Sequence, residues 1–445
     1  MKEDVLNFEP MPSLSRGVVT SLPIIAAVGI YLFPLNIGFA TLYGFRFVVL
    51  GSFLILLCHR HAALRPSRSA RMFIQLGIIW MIWGLVSILW SPNIIEGVKE
   101  LFSILLGFLL VLSLLGLEGP RMEGLNALRL GWVWAAVVTG LIAGWELLTF
   151  NHLPNGGIEG EALDYLAATG HCLSTFGNPN NYGAFIIMAS SFVFWLYLDA
   201  KKILTKIVII IIIIMILIFL IFTSSRLAVL GELVSLGFLV LLRNKGHRSI
   251  LYLGLFFIII LAVILSLSGT DVFIVEKFLR LGEEVGLDGT SPSRLLLIVD
   301  GIWMGLHSWG LGVGAGAFPY YVSQRLVPFP VGAHSPHNFW TEIFSQYGLV
   351  VSVLLLGWVL RFGALAWRSR KTAIHLNDPS MKLTSDIALT SLIGYWFASS
   401  CNSAFIGQPC NWMLLATWVM MGSWLEAHTK GQVKVAASNT SGDAR

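Results

Sequence analysis

Long apolar segments recur along the chain and are separated by short polar stretches. Each is close to the roughly 20 residues that a helix needs to cross the hydrocarbon core of a bilayer. The clearest is 203–222, an almost unbroken run of Ile, Leu, Val and Phe. The pattern predicts about twelve membrane-spanning helices, at residues 18–34, 38–57, 72–90, 98–117, 130–149, 182–198, 203–222, 227–242, 249–268, 338–360, 387–405 and 411–427.

Composition supports an all-α integral membrane protein. Of the 445 residues, 56% are hydrophobic and 12% charged, whereas about a quarter of the residues of a soluble domain are charged. We expect no cleavable signal peptide, because no small-residue cleavage site follows the first apolar run. The four cysteines show no metal-ligand spacing. Cys172 and Cys410 could both face outward, which would allow a disulfide.

Basic residues are concentrated in alternate connections between the predicted helices. Twenty-two of the 29 Lys and Arg residues fall on one side of the predicted membrane, and cytoplasmic loops carry the excess of Lys and Arg. Both tails, 1–17 and 428–445, are therefore predicted to be cytoplasmic. The net positive charge reflects this topology and does not indicate nucleic-acid binding.

The longest connection, 269–337, is predicted to be a large extracytoplasmic loop between helices 18–268 and helices 338–427. Its acidic start, Glu283–Asp288, could bind a cation, but a solvated surface is favoured. Further along, 294–307 predicts a helix too short to span, lying at the interface or re-entrant. Its apolar stripe comprises Leu295, Ile298, Val299, Ile302 and Leu306.

Three residues at the outer membrane boundary are the main candidates for chemistry. Arg226 follows the predicted seventh span, where an ionisable group indicates function or an arginine that reaches lipid head groups. Arg294 opens the loop helix, and a helix start with an arginine suits an anion, although plain helix initiation is the alternative. His337 precedes the tenth span and could act as a base or assist a leaving group; a structural hydrogen bond is the bland alternative.

Other polar residues are weaker candidates for substrate binding. Asn338 adjoins His337, and His334 lies three residues earlier. Asn178 and Asn180 could bind sugar hydroxyls, although helix capping is favoured. The remaining candidates are Lys99, which could join an anion site, Arg46, which needs a partner such as Glu146 or Glu232, and the glycine-rich segment 310–316, favoured as a turn with close backbone approach.

These residues follow one another in a recognisable order. Ser225-Arg226 ends a middle span, and the long loop then carries Arg294 and the Gly-x-Gly-x-Gly-x-Phe segment 312–318. His337-Asn338 begins the next span, and Tyr347-Gly348 follows within it. Together with the Gly-Asn-Pro-Asn stretch at 177–180, this order resembles the O-antigen ligase and O-antigen polymerase superfamily over about residues 175–351.

The resemblance implies a GT-C-like fold and a metal-independent, inverting glycosyltransferase without a cofactor in the bacterial cytoplasmic membrane. Its donor would be a glycan on a polyprenyl diphosphate carrier, and its acceptor a glycan or a lipid-linked sugar. Arg226 and Arg294 would hold the diphosphate, which suits a bidentate guanidinium. Membrane lipid would be a partner, as would, in some relatives, a chain-length regulator.

Two other functional classes compete with this interpretation. A twelve-span transporter usually has two similar halves and a long link between spans six and seven, whereas the link here, 199–206, is short. A flippase of lipid-linked sugars would share the anionic substrate but would need no base. A cell-wall polymerase of the shape and division type would have about ten spans. Between ligase and polymerase, we slightly favour a polymerase, since no residue identifies lipid A as the acceptor.

Overall fold

The computed structural model describes residues 13–29, 35–36, 41–58, 66–153, 170–243, 291–331, 335–401 and 405–442. Apart from one two-residue antiparallel pair, β1 (Leu35–Asn36) with β2 (Thr41–Leu42), the regular elements described are helices. They are α1 Ser13–Val28, α2 Gly44–Cys58, α3 Arg68–Ser87, α4 Ile94–Leu117, α5 Met122–Thr149, α6 Pro179–Asp199, α7 Ile203–Phe222, α8 Arg226–Arg243, α9 Ser291–His307, α10 Phe318–Ser323, α11 Phe339–His375, α12 Pro379–Cys401 and α13 Pro409–Gly442.

Eleven of the twelve predicted spans coincide with a helix, and the ninth, 249–268, lies outside the described residues. Within the described part of the chain, six helices are long and apolar enough to cross a membrane: α3, α4, α5, α6, α7 and α11. The protein is therefore a helical membrane protein. The count of twelve spans and the orientation of the termini stay predictions.

Burial along each helix reflects its sequence. Helix α6 is rich in small residues and is buried along most of its length between α5, α8 and α12. Helix α7, the Ile-rich run, is mostly exposed. Apolar side chains can face lipid at no cost, so α7 suits the edge of the bundle. No disulfide joins Cys172 to Cys410, and both side chains are buried.

Polar side chains start several helices. Ser67, Asn93, Asn178 and Asn338 each accept a hydrogen bond from a backbone N–H in the first turn that follows. Such caps satisfy donors that have no partner within the helix.

Ion pairs gather at one end of the bundle, which we call the ion-pair end. Arg129 donates to Asp199 at 2.8 Å, and Arg370 donates to the buried Asp386 at 2.6 Å. Arg370 also donates to the carbonyl of Leu242. His428 contacts Asp378 at 2.7 Å, and backbone and side-chain hydrogen bonds hold the pKa of this carboxyl below its usual range despite the burial that opposes them. The candidate residues lie at the other end, which we call the site end.

Candidate functional site

His337 occupies a backbone conformation that few side chains adopt. Its φ is +49°, in the left-handed region, and it immediately precedes the capping residue Asn338 of α11. The side chain is 7% exposed, and Nδ1 has no hydrogen-bond partner among the described residues. Burial, and then the positive charge of Arg294, lowers the pKa of His337 to about 4. The imidazole is therefore neutral at pH 7 and has a free nitrogen.

Arg294 lies in the first turn of α9 and close enough to His337 to act on its charge. Its Nε is buried without a hydrogen-bond partner in the described part of the chain. The predicted helix 294–307 is confirmed, with a start three residues earlier at Ser291. Arg294 and His337, which the sequence analysis assigned to one candidate site, are therefore neighbours in the structure.

Two glycines set the position of α9 beside α11. A Cβ at Gly301 would lie 2.1 Å from Thr341 Cγ2, and one at Gly305 would lie 2.4 Å from the Phe344 ring. A Cβ at either position would require the Thr341 or Phe344 side chain to move. The two helices run side by side in the same direction, which brings Arg294 to the level of His337.

The predicted apolar stripe of α9 faces away from the protein. Leu295, Val299, Ile302 and Leu306 are exposed, whereas Leu297, Asp300 and Met304 on the other face are buried. Asp300 Oδ1 accepts a hydrogen bond from Phe329 N at 3.0 Å, and burial raises the pKa of this carboxyl. An exposed apolar stripe is the expected property of a helix in contact with lipid.

The turn before α8 completes the cluster around Arg294. Ser224 has a φ of +55°, and the hydroxyl of Ser225 faces the thiol of Cys401, which also lies within electrostatic range of Arg294. The Ser225 hydroxyl forms no hydrogen bond of standard geometry with a described residue. Arg226 follows it as the first residue of α8 and is exposed, without an ion pair to any described residue. We call Ser225, Arg226, Arg294, His337 and Cys401 the site cluster.

Asn338 is held by two hydrogen bonds. Its Oδ1 accepts from Thr341 N at 3.0 Å, and its Nδ2 donates to Ser400 Oγ at 3.0 Å. The second bond ties the start of α11 to the end of α12. His334 lies outside the described residues, as does the acidic stretch Glu283–Asp288.

Asn178 caps α6, as the favoured prediction held, because its Oδ1 accepts from the backbone N–H of Asn180 at 2.8 Å. The first turn of α6 packs against the site cluster: a Cβ at Gly183 would lie 3.3 Å from Ser225 Cβ. Sugar binding by Asn178 and Asn180 stays a prediction.

Arg46 and Lys99 occupy a different place at the site end. Arg46 lies in the first turn of α2, which begins at Gly44. Its guanidinium lies 4.7 Å from the Tyr43 ring centroid and donates to Ser103 Oγ at 3.5 Å. Lys99 forms a half-exposed ion pair with Glu96 at 2.6 Å.

The predicted carboxylate partners of Arg46 were wrong. Glu146 bonds to His152 at 2.9 Å and to the backbone N–H groups of Leu173 and Ser174. Glu232 accepts from Ser190 at 2.7 Å. Both carboxylates serve contacts between neighbouring helices and loops, which the sequence pattern did not reveal.

Several residues of the site end were missed by the sequence analysis. Ser400 and Cys401 lie where α12 ends, and nothing in the local sequence distinguishes them. Glu100 and Glu342 are carboxylates inside apolar segments, and that property is a signal of function that could have identified them.

Comparison with known proteins agrees with this geometry. Residues 210–356 match the model of a family described as O-antigen ligase. This match supports the resemblance to the O-antigen ligase and polymerase superfamily. The matched segment contains the site cluster except Cys401, together with Gly312–Gly316 and Tyr347-Gly348. The expected match began near 175, so Asn178 and Asn180 lie outside the segment that the family covers.

One relative is similar to this chain over most of its length. The chain is 22% identical over 395 residues to the teichuronic acid biosynthesis protein TuaE of Bacillus subtilis (strain 168), covering 86% of this chain and 79% of the relative. The chain therefore resembles a protein of teichuronic acid biosynthesis over most of its length, including the helices before residue 210.

Proposed function

We propose that this protein is a glycosyltransferase that moves a glycan from a polyprenyl diphosphate carrier to a sugar acceptor at the outer face of the bacterial cytoplasmic membrane. The observation that carries the proposal is the pairing of a buried, neutral His337 with Arg294, each with an unpartnered nitrogen among the described residues. Unpaired buried polar atoms are costly, and they mark a place where a substrate can supply the missing bonds.

Arg294 and Arg226 would bind the diphosphate. A guanidinium binds phosphate oxygens through charge-assisted, often bidentate hydrogen bonds. As the bond from the anomeric carbon to the diphosphate oxygen breaks, negative charge grows on the leaving group. Donors aimed at such charge are worth about two to three orders of magnitude in rate.

His337 would take the proton of the acceptor hydroxyl as that oxygen attacks the anomeric carbon. The new glycosidic bond forms on the face opposite the leaving diphosphate, so the configuration inverts. A pKa of about 4 makes the free imidazole a weak base. A diphosphate bound at Arg294 would offset the positive charge that depresses this pKa, and His337 would become a stronger base once the donor is bound.

The exposed stripe of α9 suits the carrier and its membrane. It presents Leu295, Val299, Ile302 and Leu306 beside Arg294 on the same helix. A lipid chain along this stripe would bring its diphosphate to the helix start, where Arg294 lies. The chemistry as proposed uses no metal ion, and we favour a polymerase over a ligase because nothing in the sequence identifies lipid A as the acceptor.

A transporter or flippase of lipid-linked sugars is the second candidate. It would account for the arginines, but it would not require a neutral histidine with a free nitrogen. The connection between α6 and α7 spans only residues 200–202, whereas a transporter of two similar halves usually has a long link there. The family match also favours the transferase.

The test replaces Arg226, Arg294 and His337 singly by Ala in cells and displays surface glycans on a gel. We expect loss of long chains in each variant. Arg325→Asn is the control, because Arg325 is an exposed arginine of the same loop and Asn tolerates its φ of +55°. Wild-type chain lengths in all three variants would refute the proposal, and single repeats trapped inside the cell would favour the flippase.

A purified preparation in nanodiscs tests the finer claims. The product linkage, read by NMR, should be inverted relative to the donor, and activity should survive chelation of divalent cations. Retention of configuration would exclude direct attack by the acceptor on the donor. A chain-length regulator stays a prediction.

A further inference from the structure

The outer part of α11, Phe339–Tyr347, is not continuous with the rest of the helix. Gly348 has φ 72° and ψ −163°, a combination that is essentially restricted to glycine. The backbone therefore breaks between Tyr347 and Leu349. His337 and Asn338 lie at the start of the outer part, so helix continuity with the apolar part of α11 does not fix their position.

The glycine-rich segment 310–316 closes this break with backbone hydrogen bonds. Leu349 N donates to Gly310 O at 2.7 Å, Val313 N to Ser345 O at 2.8 Å and Gly314 N to Gln346 O at 3.1 Å. These bonds replace the helix bonds that the break removes. Two side chains in the turn that follows α3 bind the other side of the glycine-rich segment. Trp90 Nε1 donates to Gly312 O, and Ser91 Oγ donates to Ala315 O.

Glu100 of α4 contacts both the outer part of α11 and the glycine-rich segment. Its Oε1 accepts from the Tyr347 hydroxyl at 2.6 Å. The Gln346 side chain and the backbone N–H of Gly316 also lie close to this carboxylate. One partly buried carboxylate thus fixes α4, the outer part of α11 and the glycine-rich segment relative to one another.

Glu342 makes the matching connection on the other side of the outer part. Its Oε2 accepts from Phe405 N at 3.1 Å, and the N–H of Ile406 lies close to the same carboxylate. Phe405 and Ile406 lie between α12, which ends in Ser400 and Cys401, and α13. Glu100 and Glu342 lie within electrostatic range of each other, and neither forms an ion pair with a described residue.

We propose that Glu100 and Glu342 are positioning residues, which hold the broken outer part of α11 so that His337 faces Arg294. Tyr347 and Gly348, which form one of the motifs noted in the sequence, would then help to hold the outer part of α11 and would not contact the substrate. The inference rests on the proposed function, because it assigns these carboxylates to the placement of its base.

The main test compares Glu100→Gln and Glu342→Gln with Glu96→Gln in nanodiscs. Glu96 is the matched control, because it lies one turn earlier on α4 in a half-exposed pair with Lys99. An amide offers one acceptor oxygen where the carboxylate offers two, so contacts with Gly316, Phe405 or Ile406 weaken. We expect kcat to fall about ten- to a hundredfold in the first two, the size of effect that follows from a displacement of about 1 Å, with KM for the donor within about threefold of wild type. Glu96→Gln should be unchanged.

A second readout follows His337 directly. Carbethoxylation of His337, followed by mass spectrometry, should be faster in Glu100→Gln and Glu342→Gln, because a released imidazole is more exposed than the 7% of the native state. Tyr347→Phe removes the hydroxyl that donates to Glu100 and should show the same changes at a smaller size. A purely structural role would lower the thermal midpoint without changing kcat per folded molecule or this reaction rate.

The outcomes separate the two proposals. Wild-type kcat and His337 reactivity in both Gln variants, with Arg294→Ala inactive, would overturn the positioning role and leave the proposed function intact. An active Arg294→Ala and His337→Ala would overturn the proposed function itself. If a Gln variant fails to fold, Tyr347→Phe decides: unchanged kcat and unchanged His337 reactivity would overturn the inference.

Discussion

Replacement of Gly348 by Ala probes the break in α11 directly. A Cβ at Gly348 would lie 2.1 Å from Gly310 O and 2.5 Å from Leu311 C. Both contacts are with backbone atoms, so rotation of a side chain cannot relieve them. The residue would also have to keep φ 72° and ψ −163°, which costs a non-glycine residue about 1–3 kcal/mol.

The second contribution comes from the hydrogen bonds across the break. If the glycine-rich segment moves away, the bonds that involve Leu349, Val313 and Gly314 weaken at about 0.5–1.5 kcal/mol each. With the backbone strain, we expect Gly348→Ala to lower the free energy of unfolding by at least about 3 kcal/mol. A local shift of 310–316 is the other way to relieve the clash, and it would displace Tyr347 from Glu100.

The assay is thermal unfolding of the purified protein in nanodiscs, with glycan length in cells as the second measurement. Gly357→Ala is the control, because Gly357 lies in the same helix and its Cβ would meet nothing within 4 Å. Alanine favours a helix over glycine by about 1 kcal/mol, so this control should be neutral or stabilising. Equal thermal midpoints and wild-type glycans for Gly348→Ala and Gly357→Ala would refute the account of the break.

Two further predictions concern charge. Arg294→Gln removes the second cause of the low pKa of His337, so this pKa should rise above about 4. The folded pKa lies below the unfolded value of about 6.5, so the free energy of unfolding falls as pH drops from 6.5 towards 4. Arg294→Gln should make this loss of stability smaller. The check is the pH dependence of His337 carbethoxylation, and an unchanged midpoint contradicts the role of Arg294. At the ion-pair end, Asp386→Ala leaves Arg370 without its carboxylate partner and should cost about 3–5 kcal/mol. Asp199→Ala, in a pair whose aspartate is 54% exposed, should cost under about 1 kcal/mol. Equal costs in thermal unfolding would contradict the assigned burial.

The separation of the two ends of the bundle bears on how variants should be interpreted. Ion pairs such as Arg370 with Asp386 join helix ends far from the site cluster, so their loss should act through stability. At the site end, neither Arg226 nor Arg294 forms an ion pair with a described residue. An arginine of the ion-pair end has a carboxylate in place, whereas an arginine that binds an anionic substrate leaves that position to the ligand.

The sequence by itself determined the helices and their order. The length of an apolar segment and the polar residues that bound it are local properties of the sequence. For this reason α4, α6 and α7 begin and end within a few residues of the predicted spans. The loop helix was also predicted, because its period and its Pro-Ser-Arg start are local. The order of Ser225-Arg226, Arg294 and His337-Asn338 indicated a resemblance to the O-antigen ligase family, and the match over residues 210–356 supports it.

Only the tertiary structure decided which groups meet. The partners of Arg46 and Glu146, the contact of Ser225 with Cys401 and the direction of the α9 stripe depend on packing between segments distant in sequence. Glu100 and Tyr347 are 247 residues apart, and no local pattern pairs them. The break at Gly348 is local in its cause, a positive φ. Its proposed effect on His337 depends on the glycine-rich segment and on Glu100 and Glu342, which are distant in sequence and hold the outer part of α11 in place.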